Sequence, residues 1–267
     1  MMREKGSHGL ALFNGGRTFK VYDTDGELLF RQESYFFWLF GVRDEGYSGV
    51  IDFDTGCSVL FMPRLPESYS VWMGQLATPE GEKAKYAVDQ VLYEDQLASW
   101  LQASEAERIH VMQGVNSDSG LTNKPATVPS GVTKEIINSS LLFNTIAECR
   151  VKKSTDEIEV IRYANFIGSE AHIEVMRRCK ESLKDGLKEY QLESTFLHHC
   201  YDKGGCRTAM YTPIAASGPN GAILHYGHAG APNDREIKDG DLVLCDFGCS
   251  IYGYGSGGLI QSRMLHI

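Results

Sequence analysis

One stretch of this chain gathers residue types that do hydrolytic chemistry: YTPIAASGPNGAILHYGHAGAPNDREIKDGDLVLCDFG, from Tyr211 to Gly248. Tyr211 precedes a glycine-rich loop (Ser217, Gly218, Pro219, Asn220, Gly221), an HYGH cluster follows with His225 and His228, and an apolar run delivers Asp246. An imidazole and a strand-borne carboxylate are nitrogen and hard-oxygen donors of the kind a hydrolytic metal site uses. Aspartate is depleted in strands, so at the end of LVLC it is either a surface strand-end residue or a buried charge that needs a cation or hydrogen bonds. His225 taken alone reads equally as a satisfied loop histidine; sharing a segment with Asp246 is what raises both.

Other motifs carry less. His198, His199, Cys200 and Cys206 include zinc-ligand types, but adjacent histidines on a helix point about 100° apart and structural sites use closer cysteine pairs. The bland alternative is a helix whose polar and buried faces meet there. Gly253, Gly255 and Gly258 spell GxGxxG, yet a dinucleotide fingerprint needs a following helix and a later acidic residue. Asn138-Ser139-Ser140 is a glycosylation sequon only in form, because no signal-peptide apolar core precedes it.

The elements that must position these residues fall into two parts. From Leu10 to Pro63 the pattern predicts short strands, LALFNGG, TFKVYDTDGELLFR and a hairpin in SGVIDFDTGCSVLFMPR turning at Asp54-Thr55-Gly56. A helix is expected over Gly81–Leu101, with Leu92, Leu97, Trp100 and Leu101 as its buried stripe, then a strand near Ile109–Met112. Ser154 and Glu157 form a capping box at the head of a long amphipathic helix, in which Ile158, Ile161, Ala164, Phe166, Ile167, Ala171, Val175 and Met176 recur near helical spacing. A second helix from about Glu189 buries Leu192, Phe196, Leu197 and Cys200 and stops at Gly204-Gly205. Strands are expected at Arg207–Ile214 and Leu242–Phe247. The tail from Gly253, GYGSGGLIQSRMLHI, has little period of either type.

The totals fit a globular chain. It has 267 residues, 42% hydrophobic and 23% charged, with a net charge of -9. The acidic balance, with no basic stripe, excludes a nucleic-acid binder as the expected class. YFFWLF at Tyr35–Phe40 is too short to span a bilayer, so no membrane partner is expected. Seven cysteines, Cys57, Cys149, Cys179, Cys200, Cys206, Cys245 and Cys249, form no CxxC and leave an odd one over, which fits a reduced, cytoplasmic setting.

Long strings carry a family resemblance: RQESYFFWLFGV (Arg31 to Val42), PRLPESYSVWMG (Pro63 to Gly74), GVNSDSG (Gly114 to Gly120), ECRVKKSTDEIEVIRYAN (Glu148 to Asn165) and LHYGHAGAPNDREIKDGDL (Leu224 to Leu242). From about Leu10 to Ser256 the chain resembles the prolidase family of Xaa-Pro dipeptidases, metallopeptidases with the pita-bread fold of creatinase and aminopeptidase P. The resemblance implies an α/β N-terminal domain over residues 1–147, then the first half of an α+β pita-bread catalytic domain over 148–256, with 257–267 a divergent tail. It implies hydrolysis of dipeptides ending in proline or hydroxyproline by a pair of manganese ions. In a cytoplasmic homodimer of this kind the stretch around Trp72 is expected to approach the neighbouring active site.

By the same resemblance Asp246 is the first metal aspartate, His225 faces the substrate and helps stabilise the tetrahedral intermediate, and Tyr211 lines the pocket. The family's second aspartate follows in a Y-x-S-D frame; Tyr254 and Ser256 keep that frame, but Gly257 stands in the aspartate's place. A histidine and two glutamates that would complete the ligand set have no matching motif. The expectation is therefore a C-terminally truncated chain, short at its start as well, in which the metal pair does not assemble. The alternative is a non-catalytic isoform that pairs with full-length subunits. A half domain is also expected to expose sheet edges and one face of the long helix.

Overall fold

The computed structural model describes residues 8–182, 185–228 and 230–263. The chain divides into two compact units, Met1–Lys152 and Lys153–Ile267.

The first unit is built on a six-stranded sheet. Its strands are β1 (Leu10–Asn14), β2 (Ser48–Asp52), β3 (Ser58–Met62), β4 (Gln90–Tyr93), β5 (Ile109–Val111) and β6 (Ile137–Asn138), in the spatial order β4-β3-β2-β1-β5-β6. The β2–β3 hairpin is antiparallel with Val50 opposite Val59, whereas β3–β4 and β1–β5 run parallel. Helices α1 (Ser34–Phe40), α2 (Ser70–Met73), α3 (Pro79–Lys85), α4 (Leu97–Ala103) and α5 (Leu142–Val151) complete it. Alternation along the strands divides the apolar side chains between two clusters. One holds Phe13, Phe36, Phe40 and Leu60, the other Leu12, Val50, Phe61, Leu97 and Ile109.

Two expectations fail here. The helix expected over 81–101 is three elements, α3, β4 and α4. Gln90–Tyr93 is drawn into the sheet beside β3, and Asp89 ties the junction by accepting hydrogen bonds from the Ser58 amide (2.8 Å) and hydroxyl (3.0 Å). Helical spacing was a weaker force than a ladder with a strand distant in sequence. The segment 18–31 is not a strand: an isolated bridge joins Lys20 to Glu27, and Phe19, Tyr22, Leu28 and Leu29 are exposed.

The second unit is organised by α6 (Thr155–Ser182) and α7 (Glu189–Gly204). The capping box forms: the Ser154 amide donates to Glu157 Oε2 at 2.6 Å, and the Glu157 amide to Ser154 Oγ at 3.2 Å. Ala164, Ile167, Ala171, Val175 and Cys179 make the buried stripe of α6 against Leu192, Phe196 and Cys200 of α7. Ile158, Phe166 and Met176, expected in that stripe, are exposed. Phe166 lies about 100° around the helix from Ile167, off the packing face. The helices approach so closely that a Cβ on Gly204 would collide with the Ile167 side chain. His172 lies in the same core, stacked on Phe247 and tilted against Phe196.

Six short strands pack here: β7 (Thr208–Ala209), β8 (Ile214–Ser217), β9 (Leu242–Phe247), β10 (Cys249–Ile251), β11 (Tyr254–Gly255) and β12 (Gly258–Arg263). They form two three-stranded sheets, β12-β9-β8 and β11-β10-β7. The single strand expected over 207–214 is thus two, in different sheets. The tail contributes β12, antiparallel to β9, with Leu259 opposite Asp246; residues 264–267 of that tail lie outside the described residues. After Gly255 comes a strand and not a helix, so the GxGxxG string has no dinucleotide context.

Candidate functional site

Strand β9 runs buried through Val243, Leu244 and Cys245 and brings Asp246 half-buried to its C-terminal end, between Ile214 of β8 and Leu259 of β12. Beside it, Tyr211 lies at the surface on the connection from β7 to β8, and its hydroxyl donates to Asp246 Oδ1 at 2.6 Å. Gly248 makes room for that ring: a Cβ there would stand 2.8 Å from Tyr211 Cε1 and would collide with the Ser256 carbonyl oxygen. Met210 is fixed alongside by its amide donating to the Gly248 carbonyl at 2.7 Å. Two of the sequence-predicted site residues are therefore in contact.

His225 is placed differently. It is exposed on the turn at residues 224–225, and among the described residues Asp246 takes its side-chain hydrogen bond from Tyr211 and not from this imidazole. His228 is likewise exposed in that loop. Trp72, in the first unit, is 76% exposed on α2 and meets the Tyr69 ring edge-on at 6.1 Å. Gly257 is exposed, just before β12.

What holds the His225 loop is not legible in the sequence. Glu189, the first residue of α7, is completely buried, and its carboxylate accepts the Ser217 amide (2.7 Å), the Ser217 hydroxyl (2.7 Å) and Asn220 Nδ2 (3.1 Å). Asn220 also donates to the Tyr226 hydroxyl at 2.9 Å. Arg235 donates to Ser217 Oγ at 2.5 Å and to Asp241 Oδ2 at 2.7 Å. The Asp241 carboxyl is held below its ordinary range by that guanidinium, and the Tyr226 phenol is pushed up by burial and by the nearby Glu189 carboxylate. Gly218, at φ +51°, sits under the ion pair: a Cβ there would be 2.6 Å from Arg235 Nη2. In sequence Glu189 looks like an ordinary acid favoured at a helix start, and only burial reveals its role.

The zinc alternative dissolves in the same unit. On α7 His198 is exposed and Cys200 is buried in the core with Cys206. Among the described residues no group of three or more His, Cys, Asp or Glu side chains is placed to hold a metal ion. Asp246 and its described neighbours do not by themselves fit a two-metal centre. No helix among the described residues is long and apolar enough to cross a membrane.

Comparison with known proteins places this geometry. Residues 1–112 match the aminopeptidase P N-terminal domain, and residues 159–257 match metallopeptidase family M24. The chain is 50% identical over 245 residues to Xaa-Pro dipeptidase of Rattus norvegicus and 49% identical over 247 residues to that of Homo sapiens, covering 92% of this chain and 49% of each relative. It thus spans about half the length of these relatives. Solved structures agree. Aminopeptidase P from E. coli, in a low-pH form, superimposes with a TM-score of 0.77 at 26% identity, over 97% of this chain and 59% of that one. Proline aminopeptidase P II from Yersinia pestis gives 0.74 at 26% identity, over 96% and 59%. The chain thus carries an aminopeptidase P N-terminal domain followed by part of a metallopeptidase family M24 domain, the pita-bread domain of these structures.

Proposed function

We propose that this chain is a portion of an Xaa-Pro dipeptidase and supplies one wall of its substrate site. The observation that carries the reading is the Tyr211–Asp246 contact at the end of β9, in a chain half identical to Xaa-Pro dipeptidases across 92% of its length. The substrate class is dipeptides with proline or hydroxyproline second. Their scissile tertiary amide has no N–H to recognise, so a pocket must read shape and the two charged ends. Tyr211 lines that pocket with its phenol oriented by Asp246. His225, whose ring is open to solvent, donates a hydrogen bond to the substrate oxygen where negative charge develops.

Asp246 is the residue this chain offers to a divalent-metal pair, manganese in our reading. When bound, such a pair activates water for attack on the peptide carbonyl. The remaining donors would have to come from residues other than those described here. Assembly in the cytoplasm as a homodimer, with the Trp72 stretch reaching the neighbouring site, belongs to the same proposal.

A second reading is favoured by the donor count around Asp246: a non-catalytic chain that pairs with full-length dipeptidase and modulates it. Two measurements separate the readings. Purified chain is titrated with Mn²⁺ by calorimetry and assayed for proline release from Gly-Pro, alone and mixed with a full-length Xaa-Pro dipeptidase. Metal binding with proline release by the chain alone supports the catalytic reading. A change in the full-length enzyme's rate, without release by the chain alone, supports the second. Neither metal binding, nor release, nor any effect on the full-length enzyme would sink both.

A further inference from the structure

We infer that Glu189 is a positioning residue: its buried carboxylate fixes the loop 217–226, which carries Tyr226 and the exposed His225. The inference rests on the reading of His225 as substrate-facing, but its geometry stands independently.

Three chain segments meet around this carboxylate, and the second of them bonds to it directly. The first is the start of α7, where the Glu189 amide donates to the Arg235 carbonyl at 3.1 Å and the Tyr190 amide to the Asn233 carbonyl at 2.9 Å. The second is the turn at 217–222, which gives Glu189 the Ser217 amide, the Ser217 hydroxyl and the Asn220 side chain. The third is 233–241, where Arg235 is clamped by Asp241 and reaches Ser217 Oγ. Ser217 is completely buried and bridges acid and base.

A surface acid capping a helix needs none of this. A fully buried carboxylate is tolerated only with hydrogen-bond donors around it, and here the donors come from the loop that must be placed. Asn220 passes the constraint on, because it contacts Glu189 and the Tyr226 hydroxyl together, and Tyr226 adjoins His225. Gly227 lies close against the third segment on the far side, since a Cβ there would be 2.7 Å from Asn233 Oδ1. The anchors lie on both flanks of His225 while its imidazole stays in solvent. That division suits a group whose ring must remain available but whose backbone must not wander.

The test uses the intact chain and needs neither metal nor peptide. Hydrogen–deuterium exchange is followed for segment 218–228 and for the β9 amides 242–247 in wild type, Glu189→Gln and the milder Ser217→Ala. The phenol of Tyr226 is titrated as the ultraviolet difference between each protein and its Tyr226→Phe counterpart. Glu189→Gln is expected to speed exchange of 218–228 roughly tenfold while β9 changes less than about twofold. Its Tyr226 phenol should titrate lower, since the anionic acceptor is gone. Ser217→Ala should give a smaller acceleration confined to the same loop.

If loop and β9 lose protection together in both variants, Glu189 is a general stability element and the inference is overturned. If neither the loop nor the phenol responds, the network is idle and the inference is likewise overturned. Failure of the chain to act on Gly-Pro, with the loop response intact, counts against the functional reading alone.

Discussion

The front and the back of the site are held by opposite means. At the front, Asp246 is half-buried and takes one hydrogen bond from an exposed tyrosine, while His225 projects into solvent. At the back, Glu189 is fully buried, accepts hydrogen bonds from Ser217 and Asn220 and is linked through Ser217 to the Arg235–Asp241 ion pair. On the proposed function, the difference separates groups offered to a ligand from groups that support them. A side chain that must meet a ligand keeps unused capacity, and one that must hold a loop spends all of it.

The largest expected effect lies at the back. Replacing Glu189 by Ala leaves the Ser217 amide and hydroxyl and one side of Asn220 without their acceptor, while Arg235 keeps Ser217 Oγ and Asp241. Removing one partner from such a buried set costs about 3–5 kcal/mol. Urea unfolding of the second unit, monitored by exchange in segment 218–228, should show that loss, with β9 keeping more of its protection. A cost below about 1 kcal/mol would erase the distinction between back and front.

Next in size is Arg235→Met, which keeps the apolar stem and deletes the fork. Asp241 retains the Lys238 amide at 2.8 Å as a donor, so the expected cost is only that of charge-assisted hydrogen bonds, about 1.5–3 kcal/mol. The same unfolding experiment checks it. If Arg235→Met proves worse than Glu189→Ala, the guanidinium and not the carboxylate is the centre of the network.

Much of this arrangement is legible in local sequence, and the missed strands share one cause. The α6 capping box, the α7 stop and the apolar β9 ending in Asp246 are written in local spacing, and the structure forms each of them. Gln90–Tyr93 and Gly258–Arg263 became strands because β3 and β9 offered ladders, which no short window of sequence contains. Glu189 was invisible for the same reason. Its chemistry depends on Ser217, Asn220 and Arg235 arriving from elsewhere, and nothing at position 189 announces a buried charge. Tyr211 and Asp246 were found through residue type and family likeness, whereas their contact is a tertiary fact.

A third carboxyl, in the first unit, sharpens the contrast by lacking what Glu189 has. Glu94 accepts the Ser48 hydroxyl at 3.0 Å through Oε1, but its Oε2 is buried with no hydrogen-bond partner among the described residues. Burial pushes this carboxyl up to about 7, against the pull of the Ser48 hydrogen bond and of Arg17. A raised carboxyl pKa means the folded state holds the proton more tightly than the unfolded chain. Its contribution is therefore fully present at pH below the ordinary value of 4.5 and is lost as pH rises through about 7. With partial exposure discounted, the swing is on the order of 1 kcal/mol. The thermal midpoint of the first unit should fall between about pH 5 and pH 8 in the wild type and fall less in Glu94→Gln; parallel pH profiles would refute the assignment.

The smallest effect is predicted at the carboxylate that the proposed function assigns to the metal. Asp246→Ala removes a half-buried carboxylate whose hydrogen bond comes from Tyr211, and Tyr211 is exposed enough for water to replace the lost acceptor. No buried donor is orphaned, and β9 keeps its ladders to Ile214 and Leu259 because these are backbone bonds. Stability should change by less than about 0.5 kcal/mol, the range of ordinary surface substitutions, as read by the same urea unfolding. A loss as large as that of Glu189→Ala would mean that Asp246 is a structural residue of β9 and that the front of the site is built like the back. A neutral or slightly stabilising result would mark Asp246 as a carboxylate kept for something the folded chain does not itself require, which is how a group retained for binding differs from one retained for folding.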